Sequence, residues 1–499
     1  MMTPAECEEK AGHYRSRRDA LITEEYRVSV PSEVLNVSNT YQTCGLLSPR
    51  EVEIVELDAT ALAQAIASRA YTAVEVILAY NKSTAVAQQT VNCLTWFMPQ
   101  EALARAQWLD DQLEQTGRPV GILHGVPISV KDFIMVKNAP QSSGFVSRAG
   151  SIPTEDADIV SILRAEGAVF HAKTNNPQSI MQLETVSFMD VTTNPHNRNL
   201  TSGGSSGGDA ALVASHGAPL GITTDIGGST RVPAANCGLF GFKPSSSRLP
   251  KGGLRGVMPG DGIAGSIGPV ARSRRDLELF LRAVLHGRPW EDDVSIPPLP
   301  WRPAGSNGVG AQSLGWSGTQ GRLRIGVMME DGIVRPLIPV RQALEDLVQR
   351  LRSSPTVELI EIQPISHQDH WNLIMQLYYL DGAKKLREAL DGEPMLPLTE
   401  WIADQAKEQD VHGTWRLACE KDAFRARFMA DIKDRRIDVV LCPAGPGPAP
   451  LHGTSKYWGY TSLFNLLDWP AAVFPNGISV NGAMSTRSSF TVCTHQTSS

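Results

Sequence analysis

Two glycine–serine clusters and one lysine are the residues of this chain whose types and spacing could do chemistry. The clusters are Gly203-Gly204-Ser205-Ser206-Gly207-Gly208 and Asp225-Ile226-Gly227-Gly228-Ser229-Thr230-Arg231, about two dozen residues apart in apolar sequence. The lysine is Lys131, in Gly125-Val126-Pro127-Ile128-Ser129-Val130-Lys131-Asp132. A serine hydroxyl is a weak nucleophile and needs a base. Lysine can be that base only when neutral, and at a reference pKa of about 10.4 roughly one in 2,500 is neutral at pH 7. Burial that brought the value near 7 would cost about 4–5 kcal/mol. Gly227 and Gly228 permit backbone angles that other residues resist. The amides of Ile226, Gly227, Gly228 and Ser229 could then converge on an oxyanion, each donor worth roughly 3–4 kcal/mol. These are parts for cleaving an amide with neither histidine nor metal.

Such parts need strands and helices to hold them. Pro219 to Asp225 reads as a strand and Arg231 to Ala235 as the start of a helix, so Ser229 falls in the tight turn between them. Ser205 and Ser206 precede a helix beginning Asp209-Ala-Ala-Leu-Val-Ala. Further strands are expected at Pro127 to Val130 and Gly167 to Ala172, with a helix at Ala157 to Ala165. Asp58 to Gln89 reads as two helices, the second opened by the capping box Thr72-x-x-Glu75, and Glu101 to Gln115 as another. A strand–helix–strand unit covers Leu323 to Met328, Val340 to Leu351 and Val357 to Ile362. Charged helices span about Trp371 to Arg435, Ile437 to Cys442 is a strand, and Trp290 to Arg322 is a loop or insertion. The alternation gives an α/β class with a largely buried sheet, as one large catalytic unit.

Simpler readings compete. The apolar residues Val126, Ile128 and Val130 alternate, which puts Ser129 and Lys131 together on the other face of the strand. Locally, that favours a solvated Lys131 over a catalytic one. Asp225 and Arg231 read as a structural pair bracketing the turn, because arginine stays protonated and is a poor base. The glycine clusters lack the Gly-Lys-Ser/Thr ending and the GxGxxG spacing of phosphate loops. The 11 histidines contain no HExxH and the cysteines no CxxC, so no metal and no cofactor are expected.

Composition sets the outer bounds. A chain of 499 residues, 42% hydrophobic and 20% charged, is an ordinary globular protein. A net charge of −6 disfavours nucleic acid or an anionic membrane surface as partner, and no apolar run is long enough to span a bilayer. Met1 to Lys10 is acidic and does not read as a secretory signal, and the 7 scattered cysteines suggest free thiols. A cytoplasmic protein with a small-molecule substrate is the expectation. The sequence sets no oligomeric state, and a homodimer stands as one option.

From about Asp58 to Pro475 the chain resembles the amidase signature family of serine hydrolases. The likeness rests on Gly125 to Asp132, Lys173-Thr174-Asn175-Asn176-Pro177-Gln178, Asn194-Pro195 and both glycine–serine clusters. It is nearest to the fungal-type acetamidases and general amidases in the arm before the first helices, in His124 to Asp132, and in Thr461-Ser-Leu-Phe-Asn-Leu-Leu-Asp-Trp-Pro. The resemblance implies a large mixed twisted sheet with helices on both faces, and a Ser–Ser–Lys triad. Ser229 would be acylated, Ser205 would relay its proton, and Lys131 would be the ultimate base. The amides of Ile226, Gly227, Gly228 and Ser229 match the family's oxyanion hole, with Ser206, Thr224, Asp225 and Arg231 supporting the site. The implied reaction hydrolyses a monocarboxylic acid amide to acid and ammonia. Tyr378, Tyr379 and Trp371 lie in the half that shapes the acyl pocket, with core packing as the preferred reading.

The resemblance divides the chain into an arm with a helix (1–57), a catalytic domain (58–475) and a tail (476–499). After Pro475 the family pattern leads one to expect another core strand and a final helix, where this chain has Asn476-Gly-Ile-Ser-Val-Asn-Gly and a Ser/Thr-rich stretch. Two alternatives therefore stand beside the amidase. One is an inactive homologue with at most a binding role, and the other is a glutamine amidotransferase subunit, which the absence of a basic stripe disfavours.

Overall fold

The computed structural model describes residues 1–256, 262–302, 322–363 and 367–480. Strands are numbered β1 (Leu94–Phe97), β2 (Pro127–Lys131), β3 (Val169–Thr174), β4 (Leu220–Asp225), β5 (Phe240–Lys243), β6 (Ser266–Ala271), β7 (Leu323–Val327), β8 (Val357–Glu361), β9 (Val439–Leu441) and β10 (Ala471–Val473). The helices that matter for the site are α1 (Ala73–Val91), α2 (Gly207–Ala214), α3 (Arg231–Asn236), α4 (Arg274–His286), α5 (His367–Tyr378), α6 (Val411–Asp434) and α7 (Gly459–Leu466).

A seven-stranded mixed sheet of order β1-β3-β2-β4-β6-β5-β10 forms the centre. Strand β2 runs parallel to both neighbours, with Lys131 opposite Thr174 of β3 and Val130 opposite Ile222 of β4. The other pairings are antiparallel, including β4 with β6 from Leu220–Ala271 to Asp225–Ser266. One face is apolar: Ile128, Val130, Leu220, Ile222 and Ile267 pack with Phe280, Ala283 and Val284 of α4. Over the other face, Ala172 and Val270 pack with Ala210 to Val213 of α2 and with Ala85, Ala87 and Val91 of α1. Thr72 and Glu75 form the expected capping box at the start of α1, with Glu75 N–H donating to Thr72 Oγ1 at 3.0 Å and Thr72 N–H to Glu75 Oε2 at 2.9 Å.

Covering both faces overturns one expectation. All five residues of β2 are buried, and Lys131 is 0% exposed. The alternation in β2 separates an apolar face from a polar one, but the polar face lies under α2 and not in water. A central parallel strand has no solvated side.

A second sheet, of order β8-β7-β9, is parallel throughout. It belongs to the later half of the chain, whose helices α5, α6 and α7 share a core through Leu373, Ile374, Leu377, Phe424, Phe428, Leu463 and Leu466. The N-terminal helix Pro4–Asp19 packs Cys7, Ala11 and Tyr14 against Val146, Phe188 and Met189. No helix among the described residues is long and apolar enough to cross a membrane. Most of the expected loop at Trp290 to Arg322 and of the tail from 476 onward lies outside the described residues, although β10 just before the tail closes one edge of the large sheet against β5.

Candidate active site

Lys131 ends β2 and points into the layer between the sheet and α2. Its Nζ donates to Ser205 Oγ at 2.7 Å and to Thr224 Oγ1 at 3.0 Å. Among the described residues no carboxylate lies within ion-pair distance of it. Burial pulls the Lys131 ammonium well below the usual lysine value, and the charges of Asp209 and Asp225 only partly oppose this. Asp209, in the first turn of α2, is equally enclosed and accepts from Ser129 Oγ at 2.9 Å and Thr174 Oγ1 at 2.7 Å. Burial raises its carboxyl despite those two bonds. Both groups are thus moved toward their neutral forms.

The two serine loops are joined backbone to backbone. Ser206 N–H donates to Ser229 O at 3.1 Å, and Ser206 Oγ to Thr224 O at 3.4 Å. The Gly204–Ser205 peptide is cis. Ser229 itself is 4% exposed, and its hydroxyl has no hydrogen bond to any described residue.

An ionic clamp holds the turn that carries Ser229. Arg231 Nε and Nη2 donate to the two oxygens of Asp225 at 3.0 and 2.9 Å, and Asn465 Nδ2 donates to Asp225 Oδ1 at 2.9 Å. Arg231 also donates to Thr461 O at 2.8 Å and Asn465 Oδ1 at 2.6 Å, both on α7. Burial pushes the Asp225 carboxyl up, but the Arg231 guanidinium and these hydrogen bonds outweigh it and hold the carboxyl well below the usual range. The structural pairing read from the sequence is what the geometry contains.

The expected set of four open amides needs correction at one position. Gly228 N–H donates to Asp225 Oδ1 at 2.9 Å and is therefore engaged within the turn. The amides of Ile226, Gly227 and Ser229 have no acceptor among the described residues. Gly228 sits at φ +137°, and a Cβ there would meet Thr461 Oγ1 at 2.2 Å. Only glycine fits.

Several residues of the site carry no assignment from the sequence. Asp209 was legible only as the single carboxylate opening an otherwise apolar helix. Thr461 and Asn465, four apart and so on one face of α7, bring that helix onto the Asp225 turn. Tyr378 Oη donates to Ile226 O at 3.2 Å and accepts from Trp458 Nε1 at 3.3 Å. It is buried, as core packing requires, yet it is bonded to the serine turn. Tyr379, next to it, is buried without a bond to the serine turn among the described residues, and Trp371 packs on Tyr457 and Trp458.

Fold and site together describe an α/β protein that gathers a lysine and two serine loops at the carboxyl ends of its central strands. A family model described as Amidase matches residues 75–494. A Schizosaccharomyces pombe protein whose name places it among amidases is 44% identical over 474 residues, covering 93% of this chain and 86% of that one. The acetamidase of Aspergillus oryzae is 35% identical over 486 residues, covering 95% and 88%. A solved fatty acid amide hydrolase superposes with a TM-score of 0.87 at 32% identity, over 93% of this chain and 82% of that one. The peptide amidase of Stenotrophomonas maltophilia shares the fold, with a TM-score of 0.70 at 22% identity. The chain belongs to the amidase signature family, and hydrolysis of an amide bond is the activity these likenesses support.

Proposed function

We propose that this chain hydrolyses the amide of a monocarboxylic acid to carboxylate and ammonia through an acyl-enzyme on Ser229. The observation that carries the reading is the enclosed Lys131, bonded to Ser205 and Thr224 hydroxyls and, among the described residues, to no carboxylate. A lysine held in that way is neutral at a pH where an exposed one is charged, and a neutral amine can take a proton.

The reaction runs in two halves. Ser229 Oγ attacks the amide carbon while its proton passes to Ser205 and the Ser205 proton to Lys131. The carbonyl oxygen becomes an oxyanion facing the open amides of the turn, which are fixed before the charge develops. Collapse breaks the C–N bond as Ser205 returns a proton to the departing nitrogen, releasing ammonia. Water then attacks the acyl-enzyme by the same relay, and the carboxylate leaves. Asp225 and Arg231 take no proton in this scheme; they hold the turn. The names of the similar proteins, acetamidases and a fatty acid amide hydrolase, support an acyl amide substrate.

The test is ammonia release from acetamide, hexanamide and benzamide, together with labelling by a fluorophosphonate. Turnover of at least one amide, with the label mapped to Ser229 and lost in Ser229→Ala, is the expected result. Protein that is folded yet neither labelled nor active on any amide would overturn the reading.

A further inference from the structure

We infer that Tyr378 is a positioning residue for one oxyanion donor, the Gly227 amide, and that it acts by gripping the far end of the same peptide unit. The inference rests on the amidase reading above. In a trans peptide the C=O and the following N–H point in opposite directions. The hydroxyl of Tyr378 bonds Ile226 O at 3.2 Å and so sets the direction of the Gly227 N–H. The orientation of that hydroxyl is itself determined. Indole nitrogen can only donate, so Trp458 Nε1, 3.3 Å away, makes Tyr378 Oη an acceptor on one side and leaves its proton for Ile226. Burial raises the phenol, which keeps that proton in place. The contact also needs a glycine, since a Cβ at position 227 would lie 2.6 Å from Tyr378 Oη.

The next peptide unit shows what is distinctive. Gly227 O accepts from Thr461 Oγ1 at 2.7 Å and Gly228 N–H donates to Asp225 Oδ1 at 2.9 Å, so both ends are consumed within the protein. In the Ile226–Gly227 unit the carbonyl is held and the N–H has no acceptor among the described residues. Core packing alone would not require a hydroxyl at position 378.

The experiment compares Tyr378→Phe with Tyr379→Phe, adjacent buried tyrosines of which, among the described residues, only the first is hydrogen-bonded to the serine turn. Competent sites are first counted by fluorophosphonate titration, so that misfolded protein is excluded from the rates. For Tyr378→Phe, kcat falls by about tenfold to thirtyfold, less than the roughly 10²–10³-fold loss of a deleted donor, and KM changes by less than about twofold. Affinity for a trifluoromethyl ketone, which forms a tetrahedral oxyanion on the serine, falls by the same factor as kcat. Tyr379→Phe leaves all three within about twofold. If kcat and ketone affinity per titrated site are unchanged in Tyr378→Phe, or if only KM rises, the inference is wrong while the amidase reading stands. If the wild type is neither labelled nor active, both fall together.

Discussion

Two buried polar regions flank the Ser229 turn, and at equal depth their ionisable groups are shifted in opposite senses. On the sheet side, Lys131 and Asp209 are both 0% exposed and bonded to hydroxyls, and burial moves each toward neutrality. On the α7 side, Asp225 and Arg231 are each 1% exposed and bonded to each other, and the carboxyl is held ionised. Burial alone therefore does not decide ionisation. A hydroxyl partner does not replace the hydration lost by a charge, whereas an opposite charge in bidentate contact does. The neutral region suits proton transfer and the ionic one suits holding a turn still. Lys173, one strand from Lys131, lies between the two cases: its Nζ donates to Asp132 O at 3.1 Å, with Asp132 Oδ1 at 4.0 Å, and burial lowers it to about 8.

The largest effect expected is on the neutral side. Ser229→Ala and Lys131→Ala each lower kcat by about 10⁴-fold or more, since members of one relay fail together. Ammonia release measures this, and Lys131→Ala that kept a substantial fraction of wild-type turnover would remove lysine from the mechanism. Lys173→Met, by contrast, leaves kcat of the folded protein within about threefold and lowers stability by about 1–3 kcal/mol, because the Asp132 carbonyl loses its donor.

On the ionic side the cost falls on the fold. Asp225→Asn leaves the buried Arg231 guanidinium without its charge partner, and urea unfolding should show a loss of about 3–5 kcal/mol. Asp209→Asn in the neutral region removes a carboxyl already shifted toward its uncharged form and should cost about 1 kcal/mol. If the two substitutions cost the same, the contrast between the regions is false.

pH sharpens it further. Lys131 must be neutral to accept a proton, so kcat/KM rises with pH through its lowered pKa and falls on the acid side. Stability follows pH through every lysine that burial lowers, Lys131 and Lys243 as well as Lys173. The folded value of Lys173 is about 8 against an ordinary 10.5. Between those values the unfolded chain holds the proton and the folded chain does not, so stability rises with pH across that window. Below about 8 both states are protonated and this contribution is flat. Unfolding at pH 8, 9 and 10 should show the rise, with a smaller slope in Lys173→Met.

Much of the frame was legible because its signals are local. Short apolar and β-branched stretches located β2, β3 and β4 within a residue or two, and the Thr72–Glu75 box marked the start of α1. The closeness of Asp225 and Arg231 followed from a turn too short to separate them. Legibility failed where the decisive partner is remote. The periodicity of β2 separated two faces but could not show that α2, some eighty residues on, would roof the polar one, so Lys131 read locally as solvated. Tyr378, Thr461 and Asn465 reach the turn from 152, 234 and 240 residues away, and no spacing rule links them to it. The engagement of Gly228 N–H by Asp225 depends on peptide orientation, which residue types do not encode.

The smallest effect expected also reveals the most about the proton. Thr224 supplies the second hydroxyl on Lys131, at 3.0 Å. If the ammonium donates to it, that bond favours the charged lysine, since hydrogen bonds to charged groups exceed neutral ones by about 1 kcal/mol. Thr224→Val then moves the acid limb of kcat/KM down by about 0.5–1 pH unit, with a modest fall at the plateau. If the hydroxyl instead donates to the lone pair of a neutral amine, it favours the base form, and the same substitution moves the limb up. A shift in either direction identifies Thr224 as a group that tunes the lysine, and its sign tells which heavy atom carries the hydrogen. A limb that does not move would assign Thr224 to packing and leave Ser205 as the only hydroxyl that sets the state of Lys131.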